Sequence, residues 1–345
     1  MPVVKKKLFG KNLKEITEIV NANGLPRFTA KQVVDWLYKK EISDIDEMSN
    51  ISAANRKTLS DNYCIGIEKP TQVSVSTDGT KKYVFKVGAN QFIESVFIPD
   101  KERKTLCVSS QIGCKMSCSF CATGQQGFSG NLTANQILNQ MRSVDEFSSL
   151  TNIVFMGMGE PMDNLTEVLK AIEIMTADFG YGWSPKRITV STVGVIAPLK
   201  LFLEQSQCNL AISIHAGSAF VRRELVPLEK TQSINDIIEL VKKYDFTHQR
   251  RLSFEYILFD QLNDTDEQAQ LLADTLRYIP CRVNLIPYHR IPQVGLTPSN
   301  RVKMEAFQKI LMKRGITTTI RRSRGQDIDA ACGMLSTKTK NTSQK

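Results

Sequence analysis

The spacing of apolar residues divides this chain into three regimes. Across 11–62, Leu13, Ile16, Ile19 and Val20 recur at helical spacing, and Val33, Val34, Trp36 and Leu37 repeat the pattern in a second segment that Thr29 is placed to cap. Across 69–98 the pattern is that of strands. Residues 71–77 and 82–87 flank an Asp78-Gly79 turn and predict a hairpin, and 92–98 adds a third strand. From Leu106 onward, apolar runs at 106–109, 152–156, 187–192, 209–213, 252–258 and 282–286 predict strands, and segments 133–147, 165–178, 234–244, 266–278 and 300–314 predict helices. This alternation implies the α/β class, with a parallel sheet closed or partly closed into a barrel. The expected organisation is an accessory α+β domain over 1–95, a barrel over 96–335 and a polar, disordered tail over 336–345.

With 345 residues, 41% of them hydrophobic, the chain can bury one large core and carry an appendage. No apolar run is long enough to cross a bilayer, and the start, Met1-Pro-Val-Val-Lys-Lys-Lys-Leu8, lacks the apolar stretch of a signal peptide, so a cytoplasmic protein is expected. Eight cysteines in such a chain point to metal or redox chemistry instead of a disulfide scaffold. The net charge of +10 suggests a polyanionic partner; the basic helical start could hold RNA or serve packing alone, and the Lys/Arg-rich stretch 313–324 could hold an RNA backbone or be an ordinary solvated face.

The chemistry concentrates at Cys114, Cys118 and Cys121, a C-x3-C-x2-C run on the loop after the first barrel strand. That is the end of a barrel where active sites lie. A structural zinc site takes four ligands, and a cubane cluster usually four cysteines, so three thiolates leave one iron open to a ligand that is not protein. The spacing alone leaves open reduced buried thiols, a partial disulfide, or zinc with His215 as a distant fourth ligand. The other strand ends add Met156-Gly-Met-Gly159-Glu160-Pro161, whose glycines permit close backbone approach and whose carboxylate accepts from an ammonium group. Ser191-Thr192-Val-Gly194 and Ser213-Ile214-His215 follow at the next two ends.

The cysteine run with Phe120 inside it and Ala122-Thr123-Gly124 after it resembles the radical S-adenosylmethionine (SAM) superfamily. Five segments in order narrow the likeness: Leu106 through Cys114, 154–161, Asn284 through Pro287, and Arg324-Gly-Gln-Asp-Ile-Asp-Ala-Ala-Cys332-Gly333, in addition to the cysteine run. Over about 24–333 the chain is similar to the RlmN/Cfr family of RNA methyltransferases.

That resemblance implies a partial (β/α)6-type radical SAM barrel. Cys114, Cys118 and Cys121 would hold a [4Fe-4S] cluster whose open iron chelates SAM. Gly159, Glu160, Ser191, Ser213, Ile214, His215 and His289 would bind that cofactor. His289 stands in a segment where many relatives have Asn, and Asn284 is the fallback. One SAM would methylate Cys332, and a second would yield the radical that activates this methyl group for attack on an adenine. Cys107 would then free the product through a transient disulfide, with Glu94 as proton acceptor. The implied reaction is methylation of carbon 2 of adenine, at adenosine 2503 of 23S rRNA and adenosine 37 of some tRNAs in the customary RNA numbering. A flavodoxin-type electron donor and a monomeric enzyme are expected. The alternatives are Cfr-like methylation of carbon 8, a radical SAM enzyme on another substrate, and a metal-stabilised RNA-binding protein without catalysis.

Overall fold

The structure is a computed structural model describing residues 5–248, 250–291 and 294–336. Ten strands make one sheet: β1 (Gln72–Val75), β2 (Lys81–Gly88), β3 (Gln91–Asp100), β4 (Arg103–Cys107), β5 (Asn152–Phe155), β6 (Ile188–Thr192), β7 (Asn209–Ser213), β8 (Leu252–Leu258), β9 (Arg282–Pro287) and β10 (Thr317–Ile320). They lie side by side in chain order. Strands β1 to β4 pair antiparallel, and from β4 to β10 every neighbour is parallel. The β1–β2 hairpin turns at Gly79, whose φ of +83° suits glycine.

The boundary expected at 95 falls inside β3. The hairpin therefore extends the barrel's sheet and is no part of a separate unit. What stands apart is the helical module of α1 (Leu13–Ala22), α2 (Thr29–Tyr38) and α3 (Ala53–Asn62), closed by the short parallel pair Lys6–Lys7 and Tyr63–Cys64. Asn12 caps α1 with Glu15 reciprocating, each bond 3.0 Å. Thr29 caps nothing. It is the buried first residue of α2, and Phe28 holds the cap position.

Helices cross between the parallel strands: α4 (Ala134–Arg142), α5 (Leu165–Thr176), α6 (Ile196–Gln205), α7 (Ala219–Leu225), α8 (Ile234–Val241), α9 (Asp266–Thr275) and α10 (Arg301–Lys313). The pattern of apolar residues missed α6, because Pro198 interrupts it. Proline is tolerated there, in the first turn, where its absent N–H has no partner to lose. It also missed β10, whose Thr-Thr-Thr-Ile carries no apolar run. The helical module docks on the barrel through Asn135, whose amide donates to Phe9 O at 3.0 Å and Gly66 O at 2.9 Å. Of the expected tail, only Ser336 lies within the described residues.

Candidate functional site

The cysteine loop is presented by a small antiparallel ribbon, Gln111–Gly113 against Phe128–Asn131. Gly113 has φ +75°, and a Cβ there would lie 1.8 Å from Gly127 O, so no side chain fits. The three cysteines follow and border one cavity at the carboxyl ends of the strands. All eight cysteines are free thiols. Burial pushes Cys114 up to about 12 and raises Cys118 and Cys121, and the proximity of the other cysteines adds to the rise at Cys114 and Cys118. Thiolates here need a cationic partner. Among the described residues, no group of three or more His, Cys, Asp or Glu side chains is placed to hold a single metal ion. Thiolates serving a cluster bind separate irons around a larger volume, so three thiols on one cavity fit that group.

The next strand ends supply the polar wall. Gly159 has φ +96°, and a Cβ there would meet Gln111 at 2.4 Å, which brings the turn hard against the cysteine ribbon. Glu160 is buried, its Oε1 accepting from Met162 N–H and its Oε2 from Val193 N–H, each at 3.0 Å. Burial raises its carboxyl to about 7 against these bonds, and a ligand ammonium would favour the ionised form. Ser191 and Ser213 border the same cavity.

His215 also borders it, in the left-handed region at φ 56°. Its Nδ1 accepts from Ile257 N–H at 3.1 Å, which leaves the proton on Nε2 as the ring's available donor. Burial, aided by Arg222, lowers its pKa to about 3, so the ring is neutral. Phe120 packs edge-on against it, ring centroids 4.7 Å apart. Ile214 and His289 do not border the cavity. The Ile214 side chain is in the core, its N–H donates to Glu255 O and its carbonyl accepts from Arg222. Asn284 is bonded to Glu255 Oε1 at 2.8 Å and to Thr319 at 2.7 Å.

Cys332 comes to the cavity from the other end of the chain. Its segment docks on the turn of helix that follows the cysteines: Ala122 N–H donates to Gly333 O at 2.7 Å, and Thr123 Oγ1 donates to Leu335 O at 2.7 Å. Cys332 is exposed and borders the cavity. Cys107 ends β4, buried, its thiol pushed up to about 12 by burial and then by the nearby Cys332. Glu94 is close by on β3. Register places Val96 opposite Cys107, so Glu94, two residues from Val96, shares a sheet face with Cys107.

Three residues in or behind the cavity wall escaped the sequence reading. Arg321, placed there in a stretch that could hold RNA or be a solvated face, turns into the site at the end of β10. Its guanidinium is close to the Cys332 thiol, and its Nη1 lies 3.8 Å from Met156 Sδ and 3.7 Å from Glu255 Oε2. Glu255 Oε2 is buried with no hydrogen-bond partner. Recognition of β10 as a strand would have flagged Arg321 as a strand-end residue. Arg222, fully buried, pairs with Glu229 and donates to Val193 O at 2.8 Å, Ser213 O at 3.1 Å and Ile214 O at 3.1 Å, tying the β6 and β7 ends together.

Known proteins agree with this geometry. Residues 6–65 match the ribosomal RNA large subunit methyltransferase N-terminal domain, and 108–273 match the radical SAM superfamily. The probable dual-specificity RNA methyltransferase RlmN of Parabacteroides distasonis is 55% identical over 97% of this chain and 98% of its own length. The dual-specificity RNA methyltransferase RlmN of Alkalilimnicola ehrlichii is 42% identical over 89% of this chain and 87% of its own. A crystal structure of a radical SAM methyltransferase from Sphaerobacter thermophilus superposes with a TM-score of 0.90 at 36% identity, covering 96% of this chain and 100% of that one. The three-cysteine loop, the strand-end polar groups and near full-length similarity lead to one assignment: the chain belongs to the RlmN family of radical SAM methyltransferases.

Proposed function

We propose that this enzyme methylates carbon 2 of an adenine in ribosomal and transfer RNA, with Cys332 carrying the methyl group. One observation carries the reading: an exposed thiol, docked through its own segment on the turn after Cys121, borders the cavity that the three cysteines line. That ring carbon offers no lone pair for direct displacement on a sulfonium, so the carbon must first be held by the protein.

A [4Fe-4S] cluster on Cys114, Cys118 and Cys121, with SAM on its open iron, supplies one-electron cleavage of the sulfonium when bound. Glu160 receives the amino group of SAM, and the Nε2–H of His215 donates within the same cavity. Cys332, as thiolate, takes a methyl group by displacement: its Sγ–C bond forms as the sulfonium–methyl bond breaks. With one hydrogen atom lost to the carbon radical that cleavage of SAM would supply, which leaves as 5′-deoxyadenosine, the methylene carbon on Cys332 bonds to carbon 2 of the adenine. Glu94 accepts the displaced ring proton, and one electron returns to the group that supplied it. Cys107 then attacks Sγ of Cys332. The S–S bond forms, the S–CH2 bond breaks, and its electron pair stays on carbon, which gains a proton to become the methyl product. The disulfide is reduced outside the enzyme's cycle by a thiol donor.

The test is methylation of ribosomal RNA fragments and transfer RNA by anaerobically reconstituted protein, followed by nucleoside mass analysis. The reading expects 2-methyladenosine. Appearance of 8-methyladenosine instead would transfer the chain to the Cfr-like reading, and no methylated adenosine from either RNA would end both.

A further inference from the structure

Lys82 is a lysine in an unusual place. It sits in mid-sheet on β2, opposite Val96 of β3, which in turn lies opposite Cys107 of β4, so the three side chains share one face and one row. Its side chain is only 13% exposed, whereas neighbouring Lys81 on the other face pairs with the partly open Glu146 and the exposed Asp145. Lysine is seldom buried without a specific partner. Here the ammonium lies 3.0 Å from Glu94 Oε1 and donates to Asp329 O at 3.4 Å. The other oxygen of the same carboxylate, Glu94 Oε2, accepts from Ser336 N–H at 2.9 Å. The Lys82–Glu94 pair thus grips residues 329–336, which bear Cys332, at both ends.

We propose that Lys82 is a positioning residue for the methyl transfer, holding Glu94 ionised and aimed while fixing the Cys332 segment beside it. The inference rests on the functional reading of Glu94 and Cys332 given above. Glu94 faces Lys82 from β2 and Asp329 from the Cys332 segment, and it shares its sheet face with Cys107 of β4. Burial raises the Glu94 pKa and Asp329 raises it further, while Lys82 opposes both. Losing the lysine charge therefore moves the Glu94 pKa upward, and less of the carboxylate is ionised at a given pH.

The test compares wild type, Lys82→Met and Lys82→Arg in the full-length, cluster-loaded enzyme. Methylation is measured across pH, and hydrogen exchange of 329–336 is measured on the resting protein. Lys82→Met is expected to slow methylation by about tenfold or more at neutral pH, a loss within the range of a mispositioned proton acceptor. Its acid limb should shift to higher pH, and 329–336 should exchange faster. Lys82→Arg should restore the limb and most of the protection. A Lys82→Met enzyme with wild-type rate and limb overturns the assignment, as does equal slowing in both variants with no shift of the limb. If the wild type itself forms no methyladenosine, the functional reading fails first and takes this inference with it; an active wild type with an indifferent Lys82→Met removes the inference alone.

Discussion

Thr123 donates its hydroxyl to the carbonyl of Leu335 at 2.7 Å, across 212 positions of sequence, so the turn after Cys121 also carries the segment that bears Cys332. On the proposed mechanism, radical generation and methyl storage would thereby be referenced to one piece of backbone. A buried neutral hydrogen bond of this kind contributes about 0.5–1.5 kcal/mol. Thr123→Val should keep the iron–sulfur absorption, speed hydrogen exchange at 330–336 and slow methylation several-fold. Unchanged exchange in that segment would remove the docking role assigned to Thr123.

Arg222 is the element on which the β6 and β7 ends depend, because one guanidinium satisfies three carbonyls and the Glu229 carboxylate in a fully buried position. Removing one partner of a buried pair strands the other charge, at a cost of about 3–5 kcal/mol. Arg222→Met should lower the thermal midpoint of the protein strongly and weaken SAM binding through displaced Ser213 and His215. The double change Arg222→Met with Glu229→Leu should recover a good part of the stability, since no charge is left unpaired. Thermal unfolding of the three proteins decides it; equal midpoints for wild type and Arg222→Met would contradict the role.

The parallel strands and the cysteine loop were legible in the sequence because they are local: β7 and β8 fall on the expected residues, and three thiols within eight positions need no fold to bring them together. The Gly-Glu-Pro turn was legible as a glycine-rich strand end that places a carboxylate at the mouth of the barrel. What escaped were contacts made by the fold alone. Asp327 accepts from Ser76 Oγ at 2.6 Å and Thr77 N–H at 3.1 Å, and Asp78 accepts from Gly325 N–H at 3.0 Å, so the β1–β2 turn clasps the Cys332 segment through residues some 250 apart in sequence. Nothing in the hairpin's alternation announces a clasp. The same holds for Lys82, which reads as one of many solvated lysines until the register puts it in the row of Cys107.

His215 gives a pH signature with a definite sign. Its folded pKa is lowered to about 3 by burial and by Arg222, whereas an unfolded histidine titrates near 6.5. The native state therefore resists a proton that the unfolded chain accepts. The stabilisation is full above pH about 6.5 and is lost as pH falls from there toward 3. His215→Asn, whose carbonyl can replace Nδ1 as acceptor for Ile257 N–H, should flatten the decline of the thermal midpoint between pH 7 and 5 relative to wild type. If both proteins lose stability in parallel over that range, His215 is not the group responsible.

Cys107 and Cys332 separate the two halves of the proposed chemistry. Cys332→Ala should retain the cluster and give no methylated RNA. Cys107→Ala should instead stall with RNA bound covalently to protein through the thioether, visible as a nuclease-sensitive shift on a denaturing gel. The wild-type enzyme should pass through the same adduct and resolve it at a rate set by the thiolate fraction of Cys107. Burial, the larger cause of that thiol's raised pKa, persists in the adduct although Cys332 is then an uncharged thioether, so the thiolate is scarce at neutral pH and rises about tenfold per pH unit. Single-turnover decay of the adduct should accordingly quicken steeply between pH 7 and 8.5. A flat profile would mean that Cys107 is not the attacking thiol, and ordinary methylation by Cys107→Ala would remove it from the mechanism altogether.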